Sequence, residues 1–270
     1  MKFAMCNEFC EGWEFERVCN LAADAGYDGV EIAPFTISDS VEDVDADRRK
    51  GLRATAARHG LEIVGLHWLL VKPAGLHLNS PDPGVRARTV EYLKAEIDFC
   101  ADLGGTRIIV GSPSQRNVPE GQSYQEVWDR SVGVFRELAL HASGAGLCVC
   151  IEPLAPEETD FVCTAAEARR MVEAVDRPAF RMMLDVKAMS AEEGPIPDII
   201  RESAPYLEHF HANDANLQGP GFGATDFGPI GEALREVGYD GYVSVEVFDF
   251  SAGPERIARE SLDYLRDAFA

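Results

Sequence analysis

The feature of the sequence that most constrains its fold is a strand-and-helix unit that repeats along the whole chain. Each unit has a short apolar run rich in β-branched residues, a polar loop, an amphipathic stretch and then a glycine. Eight such units in 270 residues give about 34 residues per unit, with no linker-like segment between them. The eight predicted strands are KFAMCNE, DGVEIAPF, LEIVGLHWLL, TRIIVGSP, LCVCIEPL, RMMLDVKAM, LEHFHAND and GYVSVEVFD.

The segments between these strands are predicted helices, because their apolar residues recur at i, i+3, i+4 and i+7. The pattern is clearest in WEFERVCNLAADAG, GVRARTVEYLKAEIDFCADLGG and YQEVWDRSVGVFRELALHASGAG, each of which ends at glycine. Strands that alternate with helices pair in parallel, and eight units fill a (β/α)8 barrel, predicted here as a single TIM-barrel domain over residues 1–270. A doubly wound open sheet is the alternative. It would normally carry a glycine-rich turn after the first strand, where this chain has CNEFCEG.

Composition excludes several classes of partner. The formal net charge is −21, so nucleic acid and anionic membrane surfaces are not expected to bind. No window of 18 apolar residues occurs, and the start MKFAMCNEF lacks a long apolar run, so we expect neither a membrane span nor a signal peptide. The seven cysteines are odd in number and form no CxxC pair. We therefore expect buried, reduced cysteines in a cytoplasmic protein.

Polar residues at the ends of the predicted strands indicate where a site would lie, because barrel enzymes place their active sites at the C-terminal ends of the strands. These residues are Glu31, His67, Glu152, Asp185, His211 and Glu246. Side chains alternate between the two faces of a strand, so the apolar residues of the last four strands face the helices. The same alternation predicts His209 one layer deeper in the barrel interior, and Trp68 on the helix-facing side.

Four of these side chains, Glu152, Asp185, His211 and Glu246, are thus predicted to converge inside the same end of the barrel. Four unpaired polar groups in one buried pocket would be costly unless a cation neutralises them. Three carboxylates and one imidazole suit a hard or borderline divalent ion. We expect one such ion per chain, with Mn²⁺ as the first choice and Mg²⁺ or Co²⁺ as alternatives.

The same strands resemble the xylose isomerase-like TIM-barrel superfamily of sugar isomerases and epimerases. IEPL at 151–154, MLDVKAM at 183–189, HFHANDAN at 209–216 and GYDGYVSVEVF at 238–248 are similar to the metal-binding segments of ketose 3-epimerases. The resemblance covers essentially the whole chain. It implies that Glu152 and Glu246 transfer protons as well as bind the metal, and that Glu158 contacts substrate.

The chain departs from the ketose 3-epimerase pattern at two positions. That family usually has a histidine three residues after the ligand aspartate and an arginine after the HxxxxN stretch, where this chain has Ala188 and Leu217. In the family both residues hold oxygens of a free ketohexose, so a different keto-sugar is indicated. The segments GLHWLL, GLHLNSPDP and GSPSQR resemble branches that epimerise keto-glycosides or cleave them. The predicted substrate contacts are Glu31, His67, Glu158, Lys187, Asn213, Asp214 and Asn216.

The expected function is isomerisation or epimerisation of a keto-sugar or keto-glycoside through an enediolate, with two glutamates as acid and base. A lyase that eliminates a β-substituent from a 3-keto-glycoside is the alternative, and a barrel kept only as a binding subunit is a third. Apurinic-site endonucleases share the barrel, but they need many histidines and a basic surface, and this chain has six histidines. The expected partner is a small carbohydrate, and a homo-oligomer is left open.

Overall fold

Eight parallel strands close into a barrel in sequence order, so that β8 pairs with β1 and every other strand pairs with its neighbours in the chain. This is the architecture of a computed structural model that describes residues 1–270. It confirms the predicted (β/α)8 barrel. The strands are β1 Lys2–Cys6, β2 Gly29–Ile32, β3 Glu62–Leu66, β4 Arg107–Val110, β5 Cys148–Ile151, β6 Phe180–Asp185, β7 Leu207–Ala212 and β8 Tyr242–Val245.

The helices surround the barrel and carry their own start and stop signals. Ser123 and Glu126 form a reciprocal capping box at the start of α4, which satisfies backbone N–H groups that the helix itself cannot. Gly26, Gly104 and Gly146 adopt left-handed conformations that end α1, α3 and α4, as predicted from their places before strands. The helices are α1 Phe15–Ala25, α2 Ala46–Arg58, α3 Pro83–Leu103, α4 Tyr124–Ala145, α5 Ala165–Val175, α6 Val186–Met189, α7 Ile196–Ser203, α8 Phe227–Glu236 and α9 Pro254–Ala268.

The apolar core lies mainly between the strands and the helices, in one continuous cluster of buried side chains. Inside the barrel, two small apolar clusters fill lower levels, one around Tyr242 and one around Cys150 and Met183. In the pairing of β6, β7 and β8, Asp185 lies beside His211 and His211 beside Ser244. The polar side chains of these strands therefore form a level above the apolar ones, toward the C-terminal ends.

The cysteines and the helices bear on two of the predictions made from the sequence. All seven cysteines are free thiols, five of them buried, in agreement with the expectation that they form no disulfide. None of the helices combines the length and the apolar character that a membrane span requires.

Candidate active site

Glu152, Asp185, His211 and Glu246 meet at the C-terminal end of the barrel. They come from β5, β6, β7 and β8 or the residue that follows the strand, and all four are buried. One ligand atom from each lies within 4.8 Å of the ligand atoms of the other three. Within this quartet, His211 Nδ1 lies 3.1 Å from Glu246 Oε2. The residues are close enough to share one cation.

The quartet concentrates negative charge in a place that water reaches poorly. Burial raises the pKa of Glu152 well above the usual range of a glutamate, and the nearby Glu246 carboxylate raises it further. The same two causes raise the pKa of Asp185 to about 6. A bound divalent cation would reverse this effect by favouring the charged carboxylates. The donor set therefore fits a hard divalent ion, on chemistry as well as on geometry.

Glu246 is held differently from Glu152. Its Oε1 accepts a hydrogen bond of 2.7 Å from Trp68 Nε1. Burial would raise the pKa of Glu246, but the charge and hydrogen bond of His211, together with Trp68, outweigh it and lower that pKa. The Glu152 carboxylate accepts no hydrogen bond from a protein group. The two glutamates thus have environments that push their pKa values apart.

Trp68 faces the site, and the prediction that it packs against the helices is wrong. Its ring is stacked between Phe35 and Phe248, with ring centroids 5.9 Å apart in both pairs. The strand ends at Leu66, and Trp68 has a positive φ of 52°, so strand alternation no longer determines the direction of its side chain. The structure thereby gives the site an aromatic wall that the sequence pattern did not predict.

A pocket of about 370 Å³ opens beside the quartet. Trp68, Phe248 and Leu154 contribute apolar surface, while Glu152, Glu158 and Glu246 contribute carboxylates. The remaining lining residues are Val71, Gly111, Ser112, Pro113, Ser114 and Gln115. A Cβ at Gly111 would lie 2.0 Å from Glu152 Oε2, so a larger residue there would displace the Glu152 carboxylate. Combined apolar and polar lining of this kind suits a sugar, which has both C–H faces and hydroxyl groups.

Lys187 and Glu158 form an ion pair next to this pocket. Lys187 Nζ lies 2.6 Å from Glu158 Oε1 and 4.1 Å from the centroid of the Phe248 ring. Glu158 lines the pocket, whereas Lys187 stands behind it and is largely buried. Only Glu158 of this pair lines the pocket, and contact of either residue with substrate stays a prediction.

Glu31 and Asn213, by contrast, lie beneath the quartet. The Glu31 carboxylate is fully buried and bound on both oxygens by His209 and His211. The Asn213 amide donates to Asp185 Oδ2 and accepts a hydrogen bond from the Lys187 backbone N–H. Neither residue lines the pocket, and contact of either with substrate stays a prediction. His209 is an interior hydrogen-bonded histidine, as expected.

His67 is also buried, next to the quartet and outside the pocket lining. Its Nε2 lies 3.0 Å from Glu8 Oε2, and Glu8 Oε1 accepts a hydrogen bond from the Val247 backbone N–H. Glu8 therefore ties the end of β8 to His67. The sequence reasoning missed Glu8, although it follows β1 by two residues and the same strand-end rule could have found it.

Asp214 and Asn216 stabilise the loop after β7 and do not line the pocket. Asp214 Oδ2 accepts a hydrogen bond from the Thr225 backbone N–H. The Asn216 amide donates to Phe222 O and Gln218 Oε1. Both side chains bind atoms of their own loop, and contact of either with substrate stays a prediction.

The chain is similar to a known protein family and to named enzymes. Residues 19–268 match the family described as xylose isomerase-like TIM barrel. The chain is 30% identical over 242 residues to a D-psicose 3-epimerase of Ruminiclostridium cellulolyticum, covering 87% of this chain and 80% of the relative. It is 27% identical over 250 residues to a 3-dehydro-D-guloside 4-epimerase of Escherichia coli, covering 90% of each chain.

A solved structure extends this similarity to three dimensions. The crystal structure of a D-psicose 3-epimerase with D-tagatose from Clostridium cellulolyticum superposes with a TM-score of 0.87 at 27% identity. The match covers 100% of this chain and 99% of the other. The similarity therefore extends over the whole barrel.

Proposed function

Because the chain belongs to the xylose isomerase-like TIM-barrel family, we propose that it is a divalent-metal-dependent epimerase of a keto-sugar or keto-glycoside. The related proteins are sugar epimerases, which makes an enzyme of this type the best-supported function. The assignment of individual catalytic residues is our own and follows from the arrangement of the site.

The observation that carries the proposal is the placement of Glu152 and Glu246. They follow β5 and β8, which are separated in the barrel by β6 and β7, and both line the same pocket. A substrate between them would present one face to each carboxyl group. Epimerisation needs this arrangement, since a proton must leave one face of a carbon and return to the other.

The proposed chemistry begins with removal of the proton on the carbon next to the carbonyl group. Glu246, a carboxylate that accepts the Trp68 hydrogen bond, takes this proton, and the C–H electron pair moves into the carbon–carbon double bond of the enediolate. Glu152 in its protonated form then donates a proton to the opposite face of the same carbon and restores the ketone, and proton exchange with solvent returns both glutamates to their starting states. The inverse direction exchanges the two roles. No oxidant or reductant is needed, because the starting and final sugars are isomers.

Glu152, Asp185, His211 and Glu246 are the residues that would hold the metal ion. When bound, a divalent cation supplies charge stabilisation for the developing enediolate oxygens. Mn²⁺ is our first choice and Mg²⁺ or Co²⁺ the alternatives, since three carboxylates and one imidazole suit ions of this class. Trp68 and Phe248 would pack against a C–H face of the sugar, and Glu158, held by Lys187, would bind a hydroxyl group.

The lyase alternative uses the same carboxylates but expels a β-substituent from the enediolate. It is not favoured, because the relatives are named as epimerases. A non-catalytic barrel is also disfavoured, since the quartet is complete and opens into a pocket. A cytoplasmic location and assembly into homo-oligomers remain proposals. The seven free cysteines support the first of them.

The decisive experiment incubates the Mn²⁺-loaded protein with a panel of ketoses and 3-keto-glycosides in D₂O. Epimerase activity would appear in NMR spectra as a new epimer that carries deuterium at the inverted carbon. Release of an aglycone with an unsaturated sugar would instead identify a lyase. No deuterium uptake on any keto-sugar, with the metal site shown to be filled, would contradict the proposed function.

A further inference from the structure

Glu31 and His209 lie beneath the quartet and join one of its members, His211, in a buried cluster. We call these three residues the histidine bridge. Glu31 Oε1 lies 3.0 Å from His211 Nε2, and Glu31 Oε2 lies 2.7 Å from His209 Nε2. All three residues are fully buried. Glu31 is on β2 and the histidines are on β7, strands that are not paired, so the bridge crosses the barrel interior.

The bridge determines where the ring protons lie. An ionised carboxylate can only accept hydrogen bonds, so each histidine must donate an N–H to Glu31 from its Nε2. A histidine that binds a metal ion is neutral, so with Nε2 protonated the other nitrogen of His211, Nδ1, carries the lone pair in the metal-bound state. That nitrogen lies 3.1 Å from Glu246 Oε2 and faces the quartet. A proton on Nδ1 instead would turn the Nε2 lone pair toward a Glu31 oxygen only 3.0 Å away, which is repulsive.

His209 contributes by fixing the carboxylate of Glu31. Its Nε2 also lies 3.3 Å from Ser244 Oγ, while its Nδ1 has no hydrogen-bond partner. A proton on Nδ1 would therefore be a buried donor without an acceptor, which is unfavourable. His209 is thus held as an Nε2–H donor, and it keeps one Glu31 oxygen in place so that the other remains directed at His211.

We propose that Glu31 is a positioning residue that presents His211 Nδ1 to the metal ion and thereby sets the metal affinity of the site. This inference rests on the proposed metal quartet but not on the identity of the substrate. Carboxylates that hold metal-binding histidines in this way generally change metal affinity when they are replaced. Glu31 itself touches neither the metal quartet's carboxylates nor the pocket.

The first test compares Mn²⁺ binding by metal-free wild-type protein, Glu31→Gln and Glu96→Gln. Glutamine keeps the size of Glu31 but has one acceptor and one donor group, so it cannot accept from both histidines. We expect Mn²⁺ binding by Glu31→Gln to weaken about 10- to 100-fold in calorimetric titrations. Glu96 is another fully buried glutamate, on α3 and outside the site, and its variant should bind Mn²⁺ like wild type. Wild-type affinity in Glu31→Gln would overturn the inference.

A second measurement does not require the variant to fold. In Mg²⁺-loaded wild-type protein, ¹⁵N NMR should show His211 protonated at Nε2 and metal-bound at Nδ1. Coordination through Nε2 would refute the proposed role of Glu31. These outcomes are separable from the proposed function. A filled site with the expected His211 tautomer but no activity on keto-sugars would contradict the epimerase assignment and leave the role of Glu31 intact.

Discussion

The two glutamates of the quartet differ in their neighbours, and this difference can be tested residue by residue. Glutamine at position 152 or 246 keeps the size and one oxygen ligand but removes the basic carboxylate. We expect turnover by Glu152→Gln and by Glu246→Gln to fall by about 10² or more, as for the loss of a general base. Steady-state kinetics across a Mn²⁺ titration measure the effect, which should persist at saturating Mn²⁺.

Full recovery of both variants in excess Mn²⁺ would show that the glutamates serve only as ligands. The proton carriers would then have to be sought among His67, Glu158 and Lys187. Glu96→Gln is the matched control for a buried glutamate replaced outside the site, and its turnover should equal that of wild type.

Trp68 offers a second test, because its ring and its N–H have separate contacts. Trp68→Phe keeps a ring between Phe35 and Phe248 but removes the hydrogen bond to Glu246. Since a hydrogen bond to a charged group contributes about 1.5–3 kcal/mol, we expect kcat to fall by about tenfold or more with a smaller change in KM. Trp13→Phe is the control, as Trp13 packs against Arg17 on α1. Equal kinetics for the two variants would exclude a role for the Trp68 N–H.

Ala188 and Leu217 lead to a prediction about substrate choice. Neither side chain can donate a hydrogen bond to a sugar oxygen. Activity on fructose, psicose and tagatose should therefore be weak beside activity on a keto-glycoside. A kcat/KM of about 10⁴ M⁻¹s⁻¹ or more on any of these simple ketohexoses would contradict the prediction. If it holds, the double variant Ala188→His with Leu217→Arg should raise the ketohexose rate.

At the scale of single residues, the sequence predicted which side chains form the quartet but did not predict how the residues around them are oriented. Alternation holds through the ends of β5 to β8, so Glu152, Asp185, His211 and Glu246 could be placed without coordinates. It fails for Trp68, which lies beyond the end of β3 with a positive φ. It also cannot distinguish a residue that faces the pocket from one that lies beneath it, as Glu31 does. That distinction depends on contacts across the barrel, which a single strand does not encode.

Among the elements, α3 contains the least expected residue of the molecule. Glu96 is fully buried in this helix, and neither of its carboxyl oxygens has a hydrogen-bond partner. Replacing it with leucine should therefore stabilise the protein, by about 1–3 kcal/mol near neutral pH, the cost of an unsatisfied buried polar group. Urea unfolding measures the change. Glu91→Leu on the exposed side of the same helix should change stability by no more than about 0.5 kcal/mol.

The stabilisation by Glu96→Leu should depend on pH. Burial raises the pKa of Glu96 well above the usual glutamate range. Its contribution to wild-type stability is therefore fully present below the unfolded pKa of about 4.3 and is lost as pH rises through the folded pKa. The advantage of leucine should be larger at pH 8 than at pH 5. An equal advantage at both values would show that Glu96 has the same pKa in the folded and unfolded states.

The elements themselves were largely predictable. Helices begin or end at local sequence signals, such as Gly26, Gly104 and Gly146. Where a strand follows a helix, the spacing of the apolar residues changes from 3.6 to 2. The conformations of the loops after β3 and β4 could not be predicted from the sequence, although Val71 and Gln115 from these loops line the pocket. Their conformations depend on packing against one another, because Leu70 N–H donates to Ser112 Oγ and Leu78 N–H to Gln115 O.

For the molecule as a whole, metal binding and stability should be linked. An ion that binds only the folded barrel stabilises it by about 2.7 kcal/mol at a concentration 100 times its Kd. Adding Mn²⁺ to chelator-treated protein should therefore raise Tm, as followed by circular dichroism. Asp185→Asn retains an oxygen that can accept from the Ala188 N–H but loses a charged ligand, so its Mn²⁺-induced shift should be smaller. A shift of the same size in Asp185→Asn would indicate that Mn²⁺ binds elsewhere.

The quartet and its supports come from opposite halves of the barrel. The four proposed ligands lie at the C-terminal ends of β5 to β8. Glu31 on β2 and Trp68 after β3 contact His211 and Glu246, and Glu8 after β1 accepts from the Val247 N–H next to Glu246. On the ribosome the supporting residues therefore emerge first, and Glu246 emerges after every other ligand. A nascent chain cannot assemble the complete quartet until β8 and the residue after it have been synthesised. Binding of the ion by all four ligands thus comes after synthesis of the last strand, so the metal centre is among the last parts of the molecule to be completed.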